Sequence, residues 1–340
     1  MAASEPDEVA EELTASQEPD QLLLKLNIGD LIKIGLGQNH IRSIGIIGGT
    51  LFGWMQFAED VVGKKAYQAY QREYYDVLVQ SIISIGVFIL VIAFCITLIS
   101  TVIRFYDLRF YQTYQGFKIQ TGLFNRKENS AKMSKIQFVR WTTNPIKQVF
   151  RLFNLQLYQA ASSAVSRRQS ILVPGCYEQQ IQAVRAAYFP SETTYQYETH
   201  PISPRIIIKL TNLYGVLPAA IYLISRGAFG WTYMAYAMGW IIVVGILSFI
   251  YYRKWKFSLN LEGLLIQKGL LNTSFTSLQW FKIQSVQIRQ SFFQRRRNLA
   301  TVHLYTAAGA LQIPYIKVDM ARQLQDYILY KIESSTKSWM

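Results

Sequence analysis

The stretch VLVQSIISIGVFILVIAFCITLISTVI, residues 77–103, contains no charged residue and decides the fold class. An α-helix needs about 20 mainly apolar residues to cross a bilayer core, so this stretch predicts a membrane-spanning helix. A second block, GAFGWTYMAYAMGWIIVVGILSFIYY at residues 227–252, is equally long and uncharged. Shorter uncharged blocks, residues 43–58 and 210–225, each precede a long one. The sequence therefore predicts two transmembrane helical hairpins, with a buried or re-entrant helix as the alternative for each short block.

Composition and charge distribution agree with a membrane protein. The chain has 340 residues, of which 51% are hydrophobic and 16% charged, and its net charge is +14. Such hydrophobicity excludes disorder over most of the length. Residues 104–205 contain 14 Lys and Arg against 5 Asp and Glu, and residues 253–340 contain 13 against 4. Because basic segments that flank membrane helices prefer the cytoplasm, we expect both segments and the C-terminus to be cytoplasmic.

The N-terminal residues differ from the rest in composition. Residues 1–24 contain many acidic residues and no Lys or Arg, and they lack the apolar core of a secretion signal, so they predict an acidic disordered tail. Residues 25–104 then form a membrane-associated segment and the first hairpin. The two cysteines, Cys95 and Cys176, lie in unrelated surroundings, which favours free thiols over a disulfide.

An internal repeat relates the two basic segments at a constant offset of 147 residues. GFKIQTGLFN at residues 116–125 matches GLLIQKGLLN at 263–272, and KIQ recurs at 135–137 and 282–284. A seven-residue insertion in the first copy then shifts the register. A period this long indicates duplicated domains. We therefore divide the remaining chain into module 1 at 105–190, a linker at 191–205, the second hairpin at 206–252 and module 2 at 253–335.

Each module is predicted to be rich in strands and to end in a helix. Alternating or β-forming runs in module 2 occupy residues 256–261, 263–268, 274–280, 283–289, 301–306 and 311–314. Residues 319–332 have helical spacing, with Asp319 placed as the N-cap. The predicted fold class is an α+β membrane protein, in which each hairpin is followed by a small, partly open β-barrel with a C-terminal helix.

Several motifs in module 2 resemble those of a known family. The stretch IQSVQIRQSFFQRR at residues 283–296, followed by LATV at 299–302 and TAAG at 306–309, is similar to bacterial pleckstrin-homology (PH)-like, membrane-flanked domains, as in YdbT-like multi-pass membrane proteins. The first copy departs from this pattern, with WTTNP at 141–145 and FRLF at 150–153. The resemblance implies PH-like barrels, a bacterial cell membrane location and no established catalysis.

The sequence offers no pattern for catalysis or for a cofactor. The three histidines have no metal-ligand spacing, and nucleophile-elbow, Walker and GxGxxG patterns are absent. The uncharged blocks also lack the ionisable groups that mark ion or proton pathways. We therefore predict no enzyme activity, no catalytic residue, no metal and no cofactor.

Basic residues remain as the candidate site. The densest cluster is Arg295, Arg296 and Arg297, and Arg289 precedes it in the same module. Juxtamembrane basic residues gain about 1 kcal/mol each near an anionic leaflet, so these four arginines are predicted to bind lipid or a partner. The alternative is that they only determine topology. Nucleic-acid binding is less favoured, because membrane orientation already explains the charge.

The predicted function is a non-enzymatic, multi-pass membrane protein that presents two PH-like modules as a cytoplasmic protein-binding or assembly platform, in contact with membrane lipids. The predicted partner is a smaller PH-like membrane homologue or a second copy in a homo-oligomer. The alternative function is a component of a membrane transport, export, drug-resistance or bacteriocin-resistance system.

Overall fold

The computed structural model of the chain describes residues 20–38, 75–123, 126–160, 170–190, 196–226 and 230–335, together with a few positions between 45 and 53. Most of the predicted short block at 43–58 lies outside the described residues. The chain divides into two compact units. One contains residues 25–108 and 121–127, and the other contains the remainder of the chain.

The continuously described helices of the smaller unit are α1 (Ile28–Leu36) and α2 (Tyr75–Phe105). The side chains of Leu31 and Ile34 on α1 are buried. Gly35 permits close packing against α2, because a Cβ at this position would lie 3.3 Å from Cγ of Leu98. Residues 84–105 of α2 are long and apolar enough to cross a membrane.

The larger unit contains most of the strands, which recur in the order that the repeat predicts. In the first copy they are β2 (Arg109–Thr113), β3 (Gly116–Thr121), β4 (Lys127–Lys132), β5 (Ile136–Thr143), β6 (Phe153–Gln159) and β7 (Ser170–Cys176), preceded by β1 (Gln21–Lys25). In the second copy they are β8 (Glu198–Pro201), β9 (Lys256–Leu259), β10 (Gly263–Lys268), β11 (Thr273–Gln279), β12 (Ile283–Arg289), β13 (Leu299–Thr306) and β14 (Gly309–Lys317). The predicted strands of module 2 are thus confirmed to within a few residues.

Helices occupy equivalent places in the two copies. Short helices α3 (Pro145–Val149) and α8 (Phe292–Arg295) follow β5 and β12, and α4 (Glu178–Tyr188) and α9 (Val318–Ser334) end the copies. Between the copies lie α5 (Arg205–Thr211), a π-helical turn (Asn212–Val216), α6 (Leu217–Arg226) and α7 (Trp231–Lys254). Gly122 and Gly269, which are 147 residues apart, both have positive φ. The repeat therefore extends to the backbone conformation of its turns.

The π-helical turn has a local cause in Pro218. Proline has no N–H group, so it cannot donate to the carbonyl of Tyr214 four residues earlier. The indole N–H of Trp240 on α7 donates to that carbonyl instead, at 3.0 Å. A backbone carbonyl without a donor is costly in lipid, so this hydrogen bond stabilises the pairing of the two helical segments.

Within the part of the chain that the structure describes, three helical segments are long and apolar enough to cross a membrane: residues 84–105, 205–225 and 231–254. Their burial within the protein is low, as expected for helices that face lipid. The chain is therefore a mixed α and β protein with candidate membrane helices, and the arrangement as two hairpins stays a prediction.

The sheets differ from the predicted barrels. The described strands form a four-stranded sheet (β1-β2-β3-β4), a seven-stranded sheet (β7-β6-β5-β11-β10-β9-β8) and a three-stranded sheet (β12-β13-β14). None of these sheets closes into a barrel. The physical reason is that β5 of module 1 pairs antiparallel with β11 of module 2. Along this edge each of the two strands thus forms its hydrogen bonds with the other module, and neither uses it to close a barrel within its own module.

Three boundaries also differ from the predictions. Residues 21–24, assigned to the disordered tail, form most of β1, and Leu24 is buried. The predicted linker at 191–205 contains β8, which pairs with β9. The N-cap of α9 is Lys317 and not Asp319, which lies in the first turn of the helix. An acidic residue is favourable there too, because it complements the helix dipole, and the sequence pattern does not distinguish the two positions.

Candidate functional site

The two modules meet where β5 of module 1 pairs with β11 of module 2. Trp141 on β5 stacks on Phe275 of β11, with 5.6 Å between ring centroids and 9° between planes. The Nε group of Arg140 donates to the hydroxyl of Thr276 at 3.1 Å. The ammonium group of Lys282 donates to the carbonyl of Ser134 at 2.6 Å. Backbone pairing, ring stacking and charged hydrogen bonds thus combine at this junction.

The end of module 1 contributes a second set of contacts. The hydroxyl of Tyr188 donates to the carbonyl of Gln137, and the side-chain amide of Gln279 donates to the carbonyl of Tyr188. Phe189 packs directly over Gly263, where a Cβ would lie 2.5 Å from the phenylalanine ring. These contacts leave no space for a larger residue at position 263, so the two modules form one packed body within the larger unit.

The edge of β12 is equivalent to the paired edge of β5, but it is open. Ile136–Val139 of β5 are buried, whereas Gln284, Ser285, Gln287 and Arg289 of β12 are exposed. Among the described strands, only β13 pairs with β12. On the other side, the amide of Gln325 on α9 donates to the carbonyl of Val286 at 3.5 Å. A weak side-chain contact therefore lies where the equivalent strand has a full ladder.

The edge of β4 is equivalent to the paired edge of β11, and it is also open among the described strands. Its sequence is KENSAK, and only Ala131 is buried. Lys118 pairs with Glu128 at 2.8 Å on this surface, and the hydrogen bond from Lys118 lowers the pKa of Glu128 below its usual value. Charged residues, lysine above all, disfavour pairing at an edge strand. The charges of β4 thus disfavour pairing with a further strand, and the outer edge of β12 has no comparable run of charges.

Arg289 lines a cavity of about 420 Å³ at the ends of two candidate membrane helices. The wall includes Lys209 and Leu210 from α5 and Tyr251 from α7. Its other polar side chains are Gln290, Ser291, Gln294, Thr301, His303, Gln312 and Tyr315. A guanidinium Nη2 group of Arg289 donates to the side-chain oxygen of Gln287 at 2.9 Å and to the Tyr305 hydroxyl at 3.2 Å. These two bonds hold the guanidinium group at the cavity.

The electrostatics of this cavity favour an anion. Lys209 and Arg289 provide two positive charges, and among the described residues no carboxylate lines the wall. Burial lowers the pKa of His303 below its ordinary value, and the nearby charge of Arg289 lowers it further. The lowered pKa favours the neutral form of His303, which can donate or accept a hydrogen bond.

The helix α8 borders the same cavity and exposes two aromatic rings. Ser291 and Gln294 line the wall, and between them Phe292 and Phe293 are 65% and 77% exposed. A capping box between Ser291 and Gln294 holds the short helix. The guanidinium of Arg296 lies 4.6 Å from the ring centroid of Phe292. The exposed Phe292 and Phe293 side chains thus lie next to three arginines, Arg295, Arg296 and Arg297.

The structure separates the four predicted site residues into two groups. Arg289 lines the cavity, whereas Arg295, Arg296 and Arg297 lie on α8 and the turn that follows it, outside the cavity wall. The sequence interpretation missed Lys209, Phe292 and Phe293. The run FFQRRR contained a usable signal, because two adjacent phenylalanines next to arginines are unusual for a solvated turn. No sequence signal connected Lys209 with Arg289, which are 80 positions apart.

No other chemistry is apparent in the described part of the chain. It contains no group of three or more His, Cys, Asp or Glu side chains that could hold a metal ion. Burial raises the pKa of Cys176 to about 12. The thiolate is the nucleophilic form of cysteine, so this thiol is poorly suited to covalent catalysis.

Comparison with known proteins agrees with the repeat and with the membrane helices. The family model of the bacterial PH domain matches residues 70–190 and 208–332, which together make up more than half of the chain. The chain is also 28% identical over 91 residues to UPF0699 transmembrane protein YdbS of Bacillus subtilis (strain 168). That match covers 27% of this chain and 57% of the relative, so this chain spans little more than half of the relative's length. The chain is a membrane protein that belongs to the bacterial PH domain family and contains two copies of the domain.

Proposed function

We propose that this protein is a non-enzymatic assembly platform that presents its two PH-like modules on the cytoplasmic side of the bacterial cell membrane. The observation that carries the proposal is the pairing of β5 with β11, in which one module extends the sheet of another. The equivalent of β5 in module 2 is β12, whose outer edge pairs with none of the described strands and receives a side-chain hydrogen bond from Gln325 of α9. The protein therefore retains an acceptor edge of the same type as the one that it uses internally.

Strand addition to an exposed edge is a common mode of protein recognition. Main-chain hydrogen bonds provide affinity, and alternate side chains provide specificity. The partner strand for β12 would be of the β11 type, TSFTSLQ, which contains no charged residue. Such a strand belongs to another PH-like module.

Charge favours a smaller PH-like homologue as the source of that module, over a second copy of this chain. In a second copy the strand equivalent to β11 that remains open is β4. The register of the junction pairs Ser274 with Thr142, and the same register would place Lys127 opposite Arg289. Like charges directly opposite one another destabilise a sheet. Shorter relatives do occur, since a match of 91 residues covers 57% of the Bacillus relative.

Photocrosslinking tests this function directly. Benzoylphenylalanine is placed at Gln287 on β12, with Gln323 on the exposed side of α9 as a matched position, in membranes of the source organism. We expect an adduct from position 287 only, joined to the strand equivalent to β11 in another PH-like module and mapped by peptide mass spectrometry. Adducts to an unrelated protein, or equal adducts from position 323, would contradict the proposal.

A proline variant then tests whether the backbone edge makes the contact. The carbonyl of Val286 accepts from Gln325 and so points away from β13. Alternate residues of a strand share this direction, so the N–H of Ile288 also points outward. Ile288→Pro should remove the adduct, and Ile288→Ala, which keeps the N–H group, should retain it. An adduct that survives the proline would exclude strand addition.

The cytoplasmic orientation has its own test. The positive charge of the segments around both modules supports it. A topology reporter fused after Met340 should be active in the cytoplasm, and one inserted near Gln68 should be active outside. The reverse pattern would contradict the orientation.

A further inference from the structure

The surface formed by α8 and the Arg289 cavity has three properties that together indicate its ligand. It contains two positive charges without an opposing carboxylate among the described lining residues, it exposes two adjacent phenylalanines, and it lies at the ends of two candidate membrane helices. Each property alone is compatible with several kinds of ligand. Together they match one kind, which has an anionic head and an apolar tail.

We propose that the Arg289 cavity binds the phosphate headgroup of an anionic membrane lipid, while Phe292 and Phe293 insert beside the acyl chains. This inference deepens the proposed function, because it rests on the modules lying next to the membrane that anchors them. The inference specifies an anionic lipid and the residues that bind it. The net charge of the segment alone specifies neither.

Position supports a lipid over a soluble anion. Lys209 lies within the first turns of the candidate span at residues 205–225, and Tyr251 lies near the end of the span at 231–254. A ligand that contacts both lies beside the ends of these two candidate spans, where a membrane lipid would be within reach. The guanidinium group of Arg289 has donors suited to phosphate oxygens, and its bonds to Gln287 and Tyr305 hold it in place.

The exposed rings indicate the apolar part of the ligand. Large exposed aromatic side chains beside basic residues are typical of segments that lie in the membrane interface. Module 1 provides an internal comparison, since α3 is equivalent to α8 but exposes Ile146 and Val149 without an arginine cluster. We therefore assign this lipid site to module 2 only.

The experiment measures lipid retention by the purified full-length protein in detergent, using native mass spectrometry. Dioleoylphosphatidylglycerol is compared with dioleoylphosphatidylcholine at equal concentration. The wild type should retain the anionic lipid preferentially. The double variant Lys209→Gln with Arg289→Gln should bind it about 30-fold more weakly, as expected for two lost juxtamembrane charges.

A control variant separates the cavity from general charge. Lys256→Gln with Arg322→Gln removes two exposed positive charges from the same module, outside the cavity wall, and should leave retention unchanged. Equal losses in the two double variants would overturn the proposal. Phe292→Ser with Phe293→Ser changes only exposed side chains and should also weaken retention, so the test does not depend on one variant folding correctly.

A competition arm distinguishes a lipid from free phosphate. Inorganic phosphate at millimolar concentration should not displace the lipid, because it cannot contact the phenylalanines. Full displacement would show a site for a soluble anion and overturn the assignment to lipid. If the cavity variants lose the lipid but position 287 gives no adduct, the lipid inference holds and the platform fails. If the cavity variants retain the lipid while position 287 gives the adduct, the platform holds and only the lipid inference fails.

Discussion

Strands β5 and β12 are equivalent in sequence position, yet they have opposite environments. β5 lies inside a seven-stranded sheet between β6 and β11, and β12 lies at the edge of a three-stranded sheet. The residues differ accordingly. Phe138 on β5 is buried in the core, and its equivalent on β12, Ser285, is exposed. One edge of the duplicated module is thus adapted to a permanent partner, while the other is polar and accessible.

Exchanging these equivalent residues should give the largest effect. Phe138→Ser removes a buried aromatic side chain that stacks on Tyr158 at 4.4 Å, and we expect a loss of about 3–5 kcal/mol in the free energy of unfolding. Ser285→Phe on the open edge should change it by less than about 0.5 kcal/mol. Unfolding of the two purified variants in detergent, followed by circular dichroism, checks the pair. Similar losses in both would contradict the distinction between the edges.

A smaller effect is expected at Gly263 of module 2, which packs against Phe189 at the end of module 1. Gly263→Ala forces a Cβ against the ring of Phe189 and the carbonyl of Leu278, at 2.5 and 2.7 Å. Overpacking of this kind costs about 1–3 kcal/mol. The matched control is Gly29→Ala on α1, where nothing lies within 4 Å of the added Cβ. Gly263→Ala should lower the midpoint of thermal unfolding, and Gly29→Ala should not. An unchanged midpoint in Gly263→Ala, or an equal fall in both variants, would contradict the packed junction.

The smallest effect concerns the pH dependence of stability at Lys282. Burial lowers the pKa of Lys282 below its ordinary value of 10.5. Between the lowered pKa and 10.5 the unfolded chain binds more protons than the folded protein, so the contribution of Lys282 to stability rises with pH. Below the lowered pKa the full cost of burying the charge is present. The difference in the free energy of unfolding between wild type and Lys282→Gln should therefore be largest at neutral pH. It should become smaller as the pH rises towards 10.5.

The matched control for this titration is Lys135→Gln. Lys135 is the residue equivalent to Lys282 in module 1, and it is exposed. Its substitution should leave the pH slope of stability unchanged. A change of slope as large as that of Lys282→Gln would show that the effect does not come from the junction.

The strands and the final helix of module 2 could be predicted from sequence because their signals are local. Alternation in runs such as Ile283–Arg289 and helical spacing after Asp319 reflect the face that each element buries. The duplication was visible for the same reason, since glycines at Gly122 and Gly269 are needed where the backbone has positive φ. Membrane helices follow from length and lack of charge.

The sheet arrangement could not be predicted from sequence, because it depends on contacts between residues far apart in the chain. Trp141 stacks on Phe275 of the other module. The periodicity of a sequence shows which face of a strand is buried, but it does not show which distant strand lies beside it. The separation of Arg289 from the triple arginine has the same cause. Arg289 ends β12, whereas Arg295 ends α8 and Arg296 and Arg297 follow it, and the cavity is completed by Lys209 from a distant helix.

Hydrogen–deuterium exchange at the amide of Ile288 tests whether β12 accepts a strand from another PH-like module. It compares the purified protein in detergent with the protein in native membranes together with its partner, and the amide of Trp141, the equivalent residue on β5, serves as the internal reference. We predict fast exchange at Ile288 in the purified protein and slow exchange, close to that of Trp141, in the membranes. Equally fast exchange at Ile288 in both states would contradict the role of β12 as an acceptor edge.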